Sequence, residues 1–341
     1  MRNKARAKRR AVAAACLTLV ATLCLAACSA GDSGSSDGVD TIRFQTSWLP
    51  SVQFGGSYIA DSENYYADEN LDVEILPGGP DVDNQAAIAS GQVDIALSNA
   101  DFVARTNAEG ADLVIVAAGF QKDPFAVLSP PDAPIKNPQD MIGTRIGVPT
   151  ADAALFDTFL NVNDIAPSEL TVVPVGFDVA PLVSGEVDGL VSFYAEQPTA
   201  YKKATGKEGV NMMLGDYGLD VYAQVYVVQR ETLEDEASRD RIERFLRAEL
   251  KGWNDYVDDV QGAVDLTVNE YAADGGLSPE QQLAQAKLQL DLLHSSDTEA
   301  NGLLWISDEG IARNLDTFEA LGIDGSDASL FDTSIRENLN N

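Results

Sequence analysis

Residues 41–99 read TIRFQTSWLP SVQFGGSYIA DSENYYADEN LDVEILPGGP DVDNQAAIAS GQVDIALSN, and the order of elements along them decides the fold class. Ile42 and Phe44 alternate with polar neighbours, which predicts a short strand stopping at Trp48-Leu49-Pro50. Gly55-Gly56 opens a helical segment whose apolar side is Tyr58, Ile59, Tyr65 and Tyr66. Residues 71–75 alternate again and end at Gly78-Gly79-Pro80, a strand followed by its breaker. A small-residue helix over 86–90 stops at Gly91, and 93–97 predicts a third strand. Strand, helix, strand, helix, strand within sixty residues implies a parallel-type sheet with right-handed crossovers. Ligands of such sheets sit beyond the carboxyl ends of the strands, so the 48–56 loop and the Ser98-Asn99 turn are expected at one mouth.

The pattern recurs further on. Residues 113–118 form an unbroken apolar run, the mark of a buried strand. The cluster Ser129-Pro-Pro-Asp-Ala-Pro134 is the first break in composition and suggests a crossing to a second lobe. Strands over 145–148, 170–175 and 187–193 then alternate with helical segments, one of them capped by Thr150. A strand over 221–228 marks the return, and an amphipathic helix follows over 241–258 with Ile242, Phe245, Leu246, Leu250, Trp253 and Val257 on one face. The expected organisation is lobe 1 over 41–126 plus 227–330 and lobe 2 over 127–226, joined by two crossings. Each lobe holds one G-x-V-D run, Gly91–Asp94 and Gly185–Asp188, in which a glycine ends a helix just before a strand.

The first 27 residues join a basic stretch (Arg2 to Arg10) to an apolar run, the form of a signal peptide. It ends Leu25-Ala26-Ala27-Cys28, like a bacterial lipobox, so Cys28 is expected to carry a lipid, with 28–40 a flexible tether. Cleavage there leaves 17 basic against 54 acidic residues, a net charge of −37, which disfavours nucleic acid and anionic lipid as partners. All three cysteines (Cys16, Cys24, Cys28) fall in or at the end of this segment, so the folded part has no thiol for disulfide, metal or nucleophile.

The order of parts resembles the type II solute-binding proteins of ABC importers, within the group that handles nitrate, sulfonates, taurine and the thiamine pyrimidine precursor. The residues carrying the resemblance are Trp48-x-Pro50-x-x-Gln53-Phe54-x-Gly56-x-Tyr58, Tyr65-Tyr66 with Asn70–Val73, Gly91-x-Val93-Asp94-Ile95-Ala96, and Tyr194-x-Glu196-Gln197-Pro198. Ser51 and Phe54 stand where the thiamine-precursor branch has Asn and His in W-x-P-N-x-x-H. The resemblance implies a type II periplasmic-binding-protein fold of the α/β class, a monomer anchored outside the membrane, and a permease with its ATPase as partners. No cofactor or metal is implied.

The candidate ligand site follows from the strand ends. Trp48, in a proline-containing loop, offers a flat face for stacking. Gln53, Asn99, Gln121 and Gln197 offer amide donors and acceptors. Phe177 and Tyr194 are expected to form the opposite wall, and Glu196 to accept from a ligand amino group or favour a helix start. These residue types suit a planar nitrogen-containing ligand. A sulfonate, taurine or nitrate anion held by helix N-termini is the alternative. An extracellular enzyme on the same fold would need a nucleophile–base pair or a metal cluster, and the lone His294 supplies neither. A sensor or adhesion lipoprotein is a further alternative. Asp81-Val-Asp83-Asn-Gln85 begins like a calcium loop but lacks its glycine and distal glutamate, so a helix cap is expected.

Overall fold

The computed structural model describes residues 38–336 and Leu339. The expected signal peptide and the expected lipidation residue, Cys28, lie outside the described residues, and no described helix is long and apolar enough to cross a membrane. Ten strands form two five-stranded sheets. The first contains β1 (Asp40–Gln45), β2 (Leu71–Leu76), β3 (Ile95–Ser98), β4 (Leu113–Phe120) and β10 (Ala223–Gln229), in the order β2-β1-β3-β10-β4. The second contains β5 (Phe125–Ser129), β6 (Arg145–Pro149), β7 (Thr171–Val175), β8 (Gly189–Phe193) and β9 (Val210–Met213), in the order β7-β6-β8-β5-β9.

Both sheets are mixed, which corrects the expectation of parallel-type sheets. β10 runs antiparallel to β3 and β4, and β5 antiparallel to β8 and β9. Each is the strand that has just crossed from the other sheet, so it enters pointing the opposite way. The first crossing also lies earlier than expected. The chain leaves the first sheet after Phe120 and enters the second at Phe125, and it returns at Ala223. The Ser129–Pro134 cluster is therefore a turn at the end of β5 rather than the crossing. Thr150 does not cap a helix; it starts a short 3-10 turn, and the helix proper is Ala153–Val162.

The strand pattern explains the layering. Alternate residues of β4 and β10 face opposite sides, with Val114, Val116, Tyr226 and Val228 in one apolar cluster and Ile115, Val225 and Val227 in another. Two smaller clusters flank the second sheet in the same way. The two G-x-V-D runs form matching clamps. Arg43 of β1 donates from its backbone N (2.9 Å) and Nε (3.2 Å) to Asp94 Oδ2, and from Nη2 to the Gly91 carbonyl (3.0 Å). Arg145 of β6 repeats this on Asp188 Oδ2 (2.9 and 3.0 Å) and the Gly185 carbonyl (3.0 Å). Gly91 (φ 69°) and Gly185 (φ 75°) both take the left-handed turn that presents those carbonyls. The clamps fix β1 beside β3 and β6 beside β8 at the strands' incoming ends. Asp83 accepts from the Ala86 N–H at 2.9 Å, the expected helix cap.

The helix Gly55–Ser62 packs on the long helix Glu236–Asp258 almost backbone to backbone. A Cβ on Gly252 would lie 2.1 Å from the Gly56 carbonyl oxygen, and one on Gly56 would lie 2.2 Å from the Trp253 ring. Gly252→Ala should therefore lower stability by about 1–3 kcal/mol through overpacking. Urea unfolding checks this: the midpoint should fall with an unchanged slope, and an unaltered midpoint would contradict the contact.

Candidate functional site

All six parallel strands β1, β2, β3, β6, β7 and β8 end at one cavity of about 310 Å³ between the two sheets. Ser47 and Trp48 follow β1, Gly79 and Pro80 follow β2, and Ser98 and Asn99 end β3. From the second sheet come Pro149 at the end of β6 with Asp152 after it, Phe177 after β7, and Phe193 at the end of β8 with Glu196 after it. The clamps described above hold the opposite ends of four of these strands, β1, β3, β6 and β8, so their incoming ends are pinned while their outgoing ends carry cavity wall.

Trp48 and Phe177 meet across the cavity edge to face, with ring centroids 5.5 Å apart and planes at 70°. Phe125 and Phe193 add a second edge-to-face pair at 6.3 Å. Gln53 is only 8% exposed, and its side-chain amide makes no hydrogen bond among the described residues. Its carbonyl is held by the amides of Gln224 (3.4 Å) and Gln289 (3.2 Å). Asn99 accepts from the Gln224 backbone N–H at 3.4 Å. Gln224 itself has φ 48°, a left-handed conformation that non-glycine residues rarely adopt. Gln197 accepts from the Phe193 N–H (2.7 Å) and donates to the Phe177 carbonyl (3.0 Å), joining the two aromatic turns.

Six of the residues expected from the sequence thus come together: Trp48, Gln53, Asn99, Phe177, Glu196 and Gln197. Two do not. Gln121 is buried beside the first crossing and donates to the Ala118 and Trp305 carbonyls at 3.0 and 2.9 Å. Tyr194, in the turn just after β8, donates to Asp291 at 3.2 Å and does not line the cavity, whereas Phe193, the last residue of β8, does. Sequence reasoning missed Phe193, Phe125, Asn84 and Asp152. Its place at the outgoing end of β8 could have flagged Phe193, and the turn after β6 could have flagged Asp152, by the rule used for Ser98-Asn99. Ser51 caps the next turn by accepting from the Gln53 N–H, and Phe54 is fully buried in the core. His294, at the end of the helix Pro279–Leu293, is absent from the cavity wall.

The charged side chains lining the cavity are both acidic; among the described residues no Lys or Arg lines it. Glu196 opens to solvent at the rim, and the surrounding walls desolvate its carboxyl and raise its pKa. Asp152 is 9% exposed, and burial followed by the nearby Asp101 charge pushes it up from 3.8 to about 6. At acid pH below 3.8 the carboxyl is protonated folded or unfolded and contributes nothing. Between 3.8 and about 6 the folded chain keeps the extra proton, so stability falls as pH rises, and the penalty is complete above about 6. Asp152→Asn should therefore stabilise the ligand-free protein by on the order of 2 kcal/mol at pH 7.5 and by about half as much at pH 5. Thermal melts at both pH values check this, and an equal effect at both would contradict it.

The NMT1/THI5-like family model matches residues 51–263. The chain belongs to this family. It is 25% identical over 289 residues to the formylaminopyrimidine-binding protein of Halalkalibacterium halodurans, covering 83% of this chain and 87% of that one. It is 24% identical over 260 residues to the riboflavin-binding protein RibY of Chloroflexus aurantiacus, covering 75% and 71%. The 4-amino-5-hydroxymethyl-2-methylpyrimidine phosphate synthase of Schizosaccharomyces pombe is 24% identical over 219 residues, covering 61% and 63%. Among solved structures, the alkanesulfonate-binding protein SsuA of Xanthomonas axonopodis pv. citri, bound to MOPS, superposes with a TM-score of 0.62 at 15% identity, covering 87% of this chain and 99% of that one. The fold is that of the periplasmic binding proteins.

Proposed function

We propose that this protein is the solute-binding component of an ABC importer, held outside the cell membrane by a lipid at Cys28. It captures a small planar nitrogen-containing molecule between its two lobes and delivers it to a permease and its ATPase, making and breaking no bond. The observation that carries the reading is the cavity wall: two aromatic pairs, neutral amides, two carboxyls and no cationic side chain among the described residues. Aromatic faces hold a flat ring, while amides and carboxyls accept from its ring and amino N–H groups. Relatives that bind a formylaminopyrimidine and riboflavin, both flat and rich in nitrogen, support it. The synthase relative raises an enzymatic reading, but a chain whose one histidine lies away from the cavity and whose folded part lacks cysteine has little with which to do such chemistry. A sulfonate, taurine or nitrate anion would meet Asp152 and Glu196 with only backbone dipoles in its favour.

A thermal-shift screen with aminopyrimidines, flavins, alkanesulfonates and nitrate tests the ligand class, since a ligand that binds only the folded state raises the melting temperature. Stabilisation by sulfonate or nitrate alone would overturn it. Trp48→Ala should weaken the best ring ligand by about 1–3 kcal/mol, as base–aromatic stacking does elsewhere. Titration calorimetry measures the loss, and an unchanged affinity would remove Trp48 from the site. Cys28→Ser should move the protein from the membrane fraction to the soluble one, and retention in membranes would end the lipoprotein assignment.

A further inference from the structure

A small side chamber of about 40 Å³ adjoins the ligand cavity, and Phe102, Phe125, Ala151 and Asp152 line both. Its remaining walls include Asp101 and Arg105 from the helix Ala100–Ala108 of the first lobe and Asp123 from the crossing. Three carboxyls from three parts of the chain thus converge on one recess, and each is at least nine-tenths buried: Asp101 is 7% exposed, Asp123 3% and Asp152 9%.

Their surroundings differ. Asp101 has Arg105 one turn along its own helix and nearby backbone N–H groups. Asp123 accepts from the Phe125 N–H at 2.8 Å, and behind it Asp220 is paired with Arg313 at 3.0 Å. Asp152 accepts no hydrogen bond among the described residues and stands where the chamber opens into the cavity. A carboxylate left this way is costly to bury, and folded chains supply such groups with a partner.

We propose that the chamber is a subsite for an ammonium group on the ligand, with Asp152 as its principal acceptor and Asp101 as its second. The inference deepens the ring-binding reading and rests on it: the aromatic pairs hold the flat body, and a short basic arm enters the chamber. The space admits an ammonium tip with an atom or two of stem, since one water needs about 10–15 Å³. The ion supplies the donors that Asp152 lacks and offsets the surplus negative charge of a recess where Arg105 is the one cation among the described residues. Burial raises the pKa of all three carboxyls, and perturbed groups of this kind gather at functional sites.

The test uses matched probes on the whole mature protein: 2-aminopyrimidines bearing an aminomethyl or aminoethyl arm at ring position 5, each beside its hydroxyl counterpart, titrated by calorimetry at pH 7.5. The amine should bind at least about tenfold more tightly than the alcohol for one arm length. Asp152→Asn and Asp101→Asn should each reduce that ratio to about twofold or less. Because two ligands are compared on one protein, a partly unfolded preparation lowers both affinities and leaves the ratio intact. Equal binding of amine and alcohol to the wild type overturns the ammonium subsite while ring capture stands. A preference that survives both substitutions overturns the assignment to these carboxyls. Failure of every ring to bind, with or without an arm, overturns the ring reading and this inference together.

Discussion

The first wall of the cavity depends on the contact between Gly56 and Gly252. Residues 48–54, which carry Trp48 and Gln53, run directly into the helix Gly55–Ser62, and that helix is seated on Glu236–Asp258 with no side chain between the backbones. The close approach gathers polar groups around Glu249, which is fully buried. It accepts from Ser57 (2.9 Å), Tyr226 (2.6 Å), the Trp253 indole N–H (3.0 Å) and Tyr66. A buried carboxylate is tolerable only when its oxygens are supplied with donors, and here they come from the first helix, the segment after it, β10 and the long helix itself. Separating the helices would strip Glu249 of several donors at once, so the contact is held by the penalty for breaking it as much as by apolar packing. The aromatic wall inherits that rigidity.

The two lobes solve one problem twice at one end and differently at the other. At the incoming ends of the strands, an arginine, an aspartate and a left-handed glycine recur with nearly the same hydrogen-bond lengths. Those ends set register, and a register slip would turn every side chain of β3 or β8 to the wrong face. At the outgoing ends nothing is duplicated: Trp48 and Asn99 reach the cavity from the first sheet, and Phe177, Glu196 and Asp152 from the second. A pinned end frees the other to carry whatever side chains a ligand requires, because the strands beneath hold position without help from the loops.

Much of this was legible in the sequence because burial on a sheet has a short period. Alternation at Ile42 and Phe44, and the apolar run over 113–118, reveal strands without knowledge of their partners. Strand direction has no such signature: an antiparallel β10 between β3 and β4 shows the same apolar pattern as a parallel one would. The first crossing is hard to place from the sequence because proline and serine at 129–134 punctuate the chain more loudly than residues 121–124, which cross while still buried in part. Tyr194 and Phe193 show how one residue's difference at a strand end separates a wall residue from a neighbour that the following turn carries off the wall. Gly252 and Trp253 fit a core helix, but their close fit to Gly55-Gly56 joins segments nearly two hundred residues apart, which no local pattern encodes.

Glu249 and Asp152 together show how burial alone misleads and satisfaction informs. Both are acidic, both are withdrawn from water, and burial raises the pKa of each. Glu249 accepts from four side chains that packing has already brought to it, so its carboxyl is a fixed part of the core. Asp152 accepts from none among the described residues and faces two connected cavities. Gln224, in a conformation usually left to glycine, also holds two cavity residues in place. Where local rules are broken, the breaks cluster at the outgoing ends of the strands; where they are kept, they hold the lobes in register. A sequence selected only to fold would have put an apolar residue or a donor beside position 152. Keeping a lone carboxylate there is unfavourable for the empty protein and becomes favourable once a positively charged group arrives, so the local instability is itself a means of selecting the ligand.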